Sequence, residues 1–145
     1  MASVANYSAD QVIAVVAGVP VSVLAGFGPD TFIKVERNND SFTLKKGAWG
    51  EGTRSRMLDH SGKITVTCMV TSAINAAFEA LLVADEASPN GVSILPSMIK
   101  DNNGNSLWAA QHSWVMKPAA LEGKKEADVR EWVIECDEIL PPIPV

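Results

Sequence analysis

The spacing of apolar and polar residues changes period once along this 145-residue chain. Over Lys63–Val70, Ile64, Val66, Cys68 and Val70 fall on one side, and Lys63, Thr65, Thr67 and Met69 on the other. Strict alternation in a β-branched run predicts a strand, and one dry face beside one wettable face predicts an antiparallel sheet. Residues 32–37 alternate likewise, with Ile33 and Val35 opposed to Lys34 and Glu36. Residues 128–139 set Trp132, Ile134 and Cys136 against Glu131, Glu135 and Asp137. Between 71 and 86 the pattern turns helical, with Ile74, Ala77, Phe78, Leu81 and Leu82 on one face. Thr71 or Ser72 is placed to cap its start, and Ser-Pro-Asn-Gly at 88–91 ends it.

Further strand-like runs lie at 12–23, 92–100 and 106–116, the first broken by Gly18-Val19-Pro20. Turn clusters at 26–30, 38–40, 59–62 and 101–105 separate the runs. Between two of them, residues 41–56 read SFTLKKGAWGEGTRSR, two polar arms around a glycine-punctuated tip that carries Trp49. The expected fold is therefore mainly β. It is an antiparallel sandwich or barrel with one flanking helix, about 72–86, and a long projecting hairpin, about 38–60. The pattern shows no repeat and no internal boundary, so 1–145 is expected to be one domain. Residues 1–11 would be an N-terminal arm and 140–145 a Pro-rich tail, extended and unfit for a sheet interior.

Composition adds limits. The chain is 47% hydrophobic and 20% charged, which is a globular balance rather than a disordered one. A net charge of −5 argues against a surface built to hold phosphates, and its basic runs (45–46, 54–56, 124–125) are short. Cys68 and Cys136 fit no metal or redox motif, so buried free thiols in a reducing compartment are expected. The N-terminus has no basic leader, and Val12–Val16 is too short to span a membrane, which points to a soluble protein of the cytoplasm.

Candidate chemistry is thin. Gly47–Gly52 lacks the Gly-Lys-Ser/Thr end and strand-to-helix setting of a phosphate loop. Asp101, Asn103 and Asn105 have calcium-loop spacing, but Ser106 and His112 stand where glycine and glutamate are needed. His60 and His112 have no clustered third ligand, and no serine sits in a nucleophile elbow. Glu131, Glu135 and Asp137 form an acidic row, which on one open sheet face is a wetted surface rather than an acid/base pair. No catalytic, cofactor or metal site is expected.

The stretches 30–43, 47–55 and 61–67, the helix opening at Thr71-Ser72 and the strand 130–137 resemble, in order and spacing, bacteriophage tail tube proteins of contractile-tailed phages. The resemblance covers roughly residues 12–139. It implies the fold shared with type VI secretion tube proteins and a structural role in the virion tail. Hexameric rings would stack into a hollow tube inside a sheath, nucleated on a baseplate in the bacterial host cytoplasm. DNA would cross the lumen without specific binding. On this reading the hairpin touches a neighbouring subunit through Lys45, Lys46, Trp49, Glu51, Arg54 and Arg56. Lys63, Thr65, Thr67, Glu131, Glu135 and Asp137 are the candidate lumen face. The alternatives are a small β-sandwich binding module that uses the Trp-bearing hairpin, a secretion-system tube subunit, and, last, an enzyme built on the acidic row.

Overall fold

Gly62–Met69 alternates buried and half-buried residues along its whole length, with Ile64, Val66 and Cys68 on the dry side. This strand organises the structure, a computed structural model that describes residues 4, 7, 12–20, 33–91, 94–101, 106–126, 128–141 and 143–144. In chain order the elements are β1 (Val12–Val15), β2 (Ile33–Arg37), β3 (Phe42–Lys46), β4 (Gly52–Arg56), β5 (Gly62–Met69), α1 (Ala73–Ala87), β6 (Leu95–Asp101), β7 (Ser106–Val115), β8 (Val129–Cys136) and β9 (Ile143–Pro144). Seven strands form one antiparallel sheet, six of them in the order β1-β6-β7-β8-β5-β2 with β9 added on β7, and β3 and β4 pair only with each other. The turn cluster expected at 26–30, residues 102–105 of the one expected at 101–105, and most of the N-terminal arm lie outside the described residues, while Asp101 ends β6. The same holds for the end of the first strand-like run beyond Pro20.

The sheet curls, so that Val35 of β2, Ile64 of β5 and Ile99 of β6 line one small apolar cavity with Trp108 and Ile139. Helix α1 closes the dry side with Ile74, Phe78 and Leu82, and the Phe78 ring lies 5.6 Å from that of Trp132. Ser72 caps the helix by accepting from the Ile74 amide.

Four features depart from the sequence pattern. The first run turns at Ala17-Gly18, both at positive φ (49° and 78°), and Val16 and Val19 exchange two backbone hydrogen bonds across it. The Ala17 amide is held there by the buried Ser97 hydroxyl at 2.8 Å. A register shift between Leu95 and Ser97 puts one extra residue into β7, so Ala110 and Ser113 both face inward. The Pro-rich tail, expected to be extended and unfit for a sheet interior, adds a short strand on β7: Leu107 is opposite Ile143 and Ser106 opposite Pro144. It takes the edge of β7 that β8, paired only over 113–115, leaves open.

The fourth feature is polar. Asn75 is buried although its neighbours on α1 carry the apolar stripe. Its Nδ2 donates to the carbonyls of Met69, Val70 and Ser72 at 3.0–3.2 Å. Its Oδ1 accepts from Trp132 Nε1 at 2.9 Å and from Cys68 Sγ at 3.3 Å. One side chain thus joins the helix, the β5–α1 turn and β8. Leaving several of these groups unpaired costs about 1–3 kcal/mol each. Asn75→Ala is therefore expected to lower the unfolding free energy by at least about 2 kcal/mol, as read from the shift of a urea transition at unchanged slope.

Candidate functional site

Every residue of β3 and of β4 is exposed, so the ribbon has no buried face. Its tip is a three-residue loop: the Gly50 amide donates to Gly47 O at 3.2 Å and the Gly47 amide to Glu51 O at 2.7 Å. Gly50 takes the left-handed conformation (φ 86°) that this hairpin type requires. Trp49 sits on the tip 94% exposed, so it does not fold back on its own sheet.

Cross-strand register sorts the ribbon's side chains. Phe42 is opposite Arg56, Leu44 opposite Arg54 and Lys46 opposite Gly52, which gathers Phe42, Leu44, Lys46, Arg54 and Arg56 on one face. The Arg54 guanidinium lies 4.3 Å from the Phe42 ring centre, a cation–π contact. Thr43, Lys45, Thr53 and Ser55 make the other face. Residues 42–56 hold four of the chain's 12 basic residues and one of its 17 carboxylates. Eight cations against sixteen carboxylates remain for the rest, so a cationic arm projects from an anionic body.

Both legs of the ribbon are fixed at its root. The Asn38 amide donates to Ser61 O and the Met57 amide to Ser41 O, both at 2.9 Å. Asn39 Nδ2 reaches Asp59 Oδ2 at 2.8 Å, and the Ser61 amide donates to Asp59 Oδ1 at 3.0 Å. The Ser61 backbone and side-chain hydrogen bonds, then the Asn39 bond, hold the Asp59 carboxyl below its usual range.

The candidate lumen residues also come together. Lys63 is paired opposite Glu135, Thr67 opposite Glu131 and Thr65 opposite Val133, all on the face away from the core. Asp137 stands just past the end of β8. The register extends this face to Lys34 and Glu36 of β2 and to Trp114 of β7, which is opposite Glu135. Trp114 was not legible as part of it because the extra residue in β7 reverses the strand's alternation. Glu131 and Glu135 lie along an open sheet face, whereas Asp137, past the strand end, borders a shallow polar depression with Gln111, His112, Glu138 and Leu140.

The histidines do not meet. His60 Nδ1 lies 3.6 Å from Glu138 and His112 Nδ1 lies 3.8 Å from Asp137, on opposite sides of the chain leaving β8. Among the described residues no group of three or more His, Cys, Asp or Glu is placed to hold a metal ion. No described helix is long and apolar enough to cross a membrane.

Sequence reasoning passed over Arg130, which is buried against the core. It donates to Glu79 Oε1 at 2.8 Å and to Ala119 O at 3.0 Å, and lies over the Trp132 ring at 5.1 Å. Its even number, shared with Trp132, Ile134 and Cys136, was the signal that it points inward.

Proteins of contractile injection machines share this fold. Solved structures with this fold include the anti-feeding prophage cap, a tube-terminating cap. There the TM-score is 0.62 at 13% identity, over 100% of this chain and 95% of that one. They include a chain of the sheath–tube complex of an extracellular contractile injection system, PVC, in the extended state. Its TM-score is 0.59 at 12% identity, covering 97% and 93%. Such low identity establishes the fold alone. A structural protein, ORF10, of Pseudomonas phage KPP10 is 29% identical over 111 residues, which are 77% of this chain and 64% of that protein. The chain thus spans just under two thirds of that relative's length. Residues 4–141 match the family described as bacteriophage PhiTE tail tube protein, and the chain belongs to that family. It is accordingly a structural component of the phage tail rather than an enzyme.

Both thiols are buried in this body. Desolvation, and then the charge of Glu135, push the Cys136 thiol up to about 12, and desolvation raises Cys68 as well. An unfolded thiol ionises near its ordinary value of about 8.5 while the native one stays protonated. The unfolded state then binds fewer protons, so stability is complete below that value and falls as pH rises toward 12. For Cys136 the slope is about 1.4 kcal/mol per pH unit, and Cys68 adds to it in the same direction. Chemical unfolding of the wild type and of Cys136→Ala at pH 8, 9 and 10 is expected to show a shallower decline in the variant. Neither native thiol is expected to react with a disulfide reagent at pH 8 until the protein unfolds.

Proposed function

We propose that the chain assembles head to tail into hexameric rings that stack as the tail tube, with the β3–β4 ribbon as the stacking arm. The observation that carries this reading is the ribbon itself, exposed on both faces and tipped by a 94% exposed Trp49. An isolated two-stranded ribbon is marginal in water, and a protomer gains nothing for its own core from extending one. Aromatic and arginine side chains are the residues that dominate interface energies. In this arrangement Trp49 seats against a neighbouring copy, while Lys45, Lys46, Arg54 and Arg56 face its carboxylates and set rotation between rings. Glu51 adds the single opposite charge at the tip.

The face carrying Lys63, Thr65, Thr67, Glu131 and Glu135, with Asp137 beside it, lines the channel. Its excess of carboxylates suits a passage for DNA, which must slide without being held. Sheath proteins surround the tube, and a baseplate nucleates it in the host cytoplasm.

Negative-stain electron microscopy with light scattering across a concentration series, in the presence of a baseplate nucleus, tests the proposal. Stacked rings or hollow tubes are expected. Compact monomers under all these conditions would sink it. Trp49→Ala is expected to raise the concentration needed for assembly by about 10–30-fold, the scale of an interface hot spot. The same change should leave the unfolding free energy within about 0.5 kcal/mol, since the ring is exposed in the protomer. Raising salt from 0.1 to 1 M shortens electrostatic reach from about 10 to about 3 Å and is expected to weaken assembly in the wild type more than in Arg54→Gln/Arg56→Gln.

A further inference from the structure

The chain leaving β8 does more than lead to the tail. Residues 137–141 run on beside β7, with the Asp137 amide donating to His112 O at 3.1 Å and the Leu140 amide to Ala109 O at 3.0 Å. Ala110 bridges to Ile139, and β9 completes the run against Ser106 and Leu107. On its other side this strap passes beneath the ribbon at the point where both legs leave the sheet.

Ile139 meets both legs. Its amide donates to His60 O at 2.8 Å, on the leg entering β5. Its carbonyl accepts two bonds from Arg37, at the end of β2 on the other leg, Nε at 3.1 Å and Nη2 at 2.6 Å. The third guanidinium nitrogen of Arg37 reaches the Ser41 hydroxyl at 3.3 Å, one residue before β3 begins. The Ile139 side chain, 1% exposed, fills the space over Gly62, where a Cβ would collide with Ile139 Cδ1 and Glu36 O.

We propose that the strap 137–141 fixes the direction in which the ribbon projects, with Ile139 as the pin and Arg37 as the clasp. The ribbon's own faces are bare, so the contacts that orient it come from its root. Four hydrogen bonds at the root join the legs to each other, two between backbones and two between side chains, but among the described residues only the Ile139 contacts tie both legs to the sheet through a segment anchored on β7. A charged fork on one carbonyl is directional in a way that a flexible cation is not. An arm held in one pose before contact gives up less freedom on binding, which favours association. That consequence for assembly rests on the stacking role proposed above; the anchoring does not.

The test uses the full chain with nitroxide labels at Ala48→Cys, on the tip, and Glu86→Cys, on the exposed face of α1. Cys68 and Cys136 are buried and take no label. The unsubstituted Arg37 protein is expected to give one narrow distance distribution. Arg37→Ala is expected to broaden it and to speed amide exchange at residues 38–61 about tenfold or more, the scale of losing a charge-assisted fork, with exchange in β5 and β8 unchanged. Should Arg37→Ala fail to fold, Arg37→Lys, which keeps the charge without the fork, gives the same reading with a smaller shift. A chain ended after Leu140 keeps the pin but loses β9, and an intermediate broadening is expected. A distribution and exchange profile unchanged in Arg37→Ala, or in Arg37→Lys, overturns the proposal. A loosened ribbon with unaltered assembly upholds the strap and refutes the stacking role of the arm.

Discussion

The pairing of β5 with β8 is the constraint on which the other features depend. It runs without a break from Gly62 opposite Cys136 to Met69 opposite Val129. Ile64, Val66 and Cys68 therefore share one face with Trp132, Ile134 and Cys136, and the charged and threonine residues share the other. A slip of one residue would turn every apolar side chain of one strand to solvent, so the register is held by the whole core. The same pairing decides where the sheet stops. At its end Gly62 leaves room for Ile139, and the two chains that become the ribbon part company there.

The polar residues inside this core make it specific. Asn75 satisfies three carbonyls and two donors that no apolar residue could serve, and they come from three different elements. Ser97 and Ser113 share a hydrogen bond of 2.6 Å beside the irregularity in β7. Ser97 also holds Ala17 in a conformation that costs an L-residue about 1–2 kcal/mol. Each of these contacts fixes one element against another, whereas apolar packing alone tolerates several arrangements.

What could be read along the chain was whatever has a period. The alternation over 63–70 and the change to helical spacing at 71 reflect a single dry side, and the helix was placed to within a residue at each end. The hairpin was legible from its glycines, and the exposure of Trp49 agrees with a tip that serves something outside the protomer. Asn75 was not legible because its partners lie in the β5–α1 turn and, through Trp132, more than fifty residues away. Trp114 was not legible as part of the wet face because one inserted residue reverses the alternation of β7. The tail's pairing escaped notice because prolines weaken a strand signal, yet they are tolerated on an edge where only some amides need partners. The sheet order, with β1 against β6 and β8 between β5 and β7, depends on nonlocal pairing that no local period encodes.

The bare faces of the ribbon carry a consequence for sequence change. Core positions such as Phe78 and Trp132 are bound by volume, so drift there is paid for in stability. Residues 42–56 answer to no such rule, since both strands of the ribbon are exposed along their whole length. The fold leaves that stretch free to vary, and any restriction on it is imposed by whatever it meets. With the ribbon as the stacking arm proposed above, two chains with the same body and different ribbons would fold alike and still refuse to mix, which would let related tubes made in one cell stay separate.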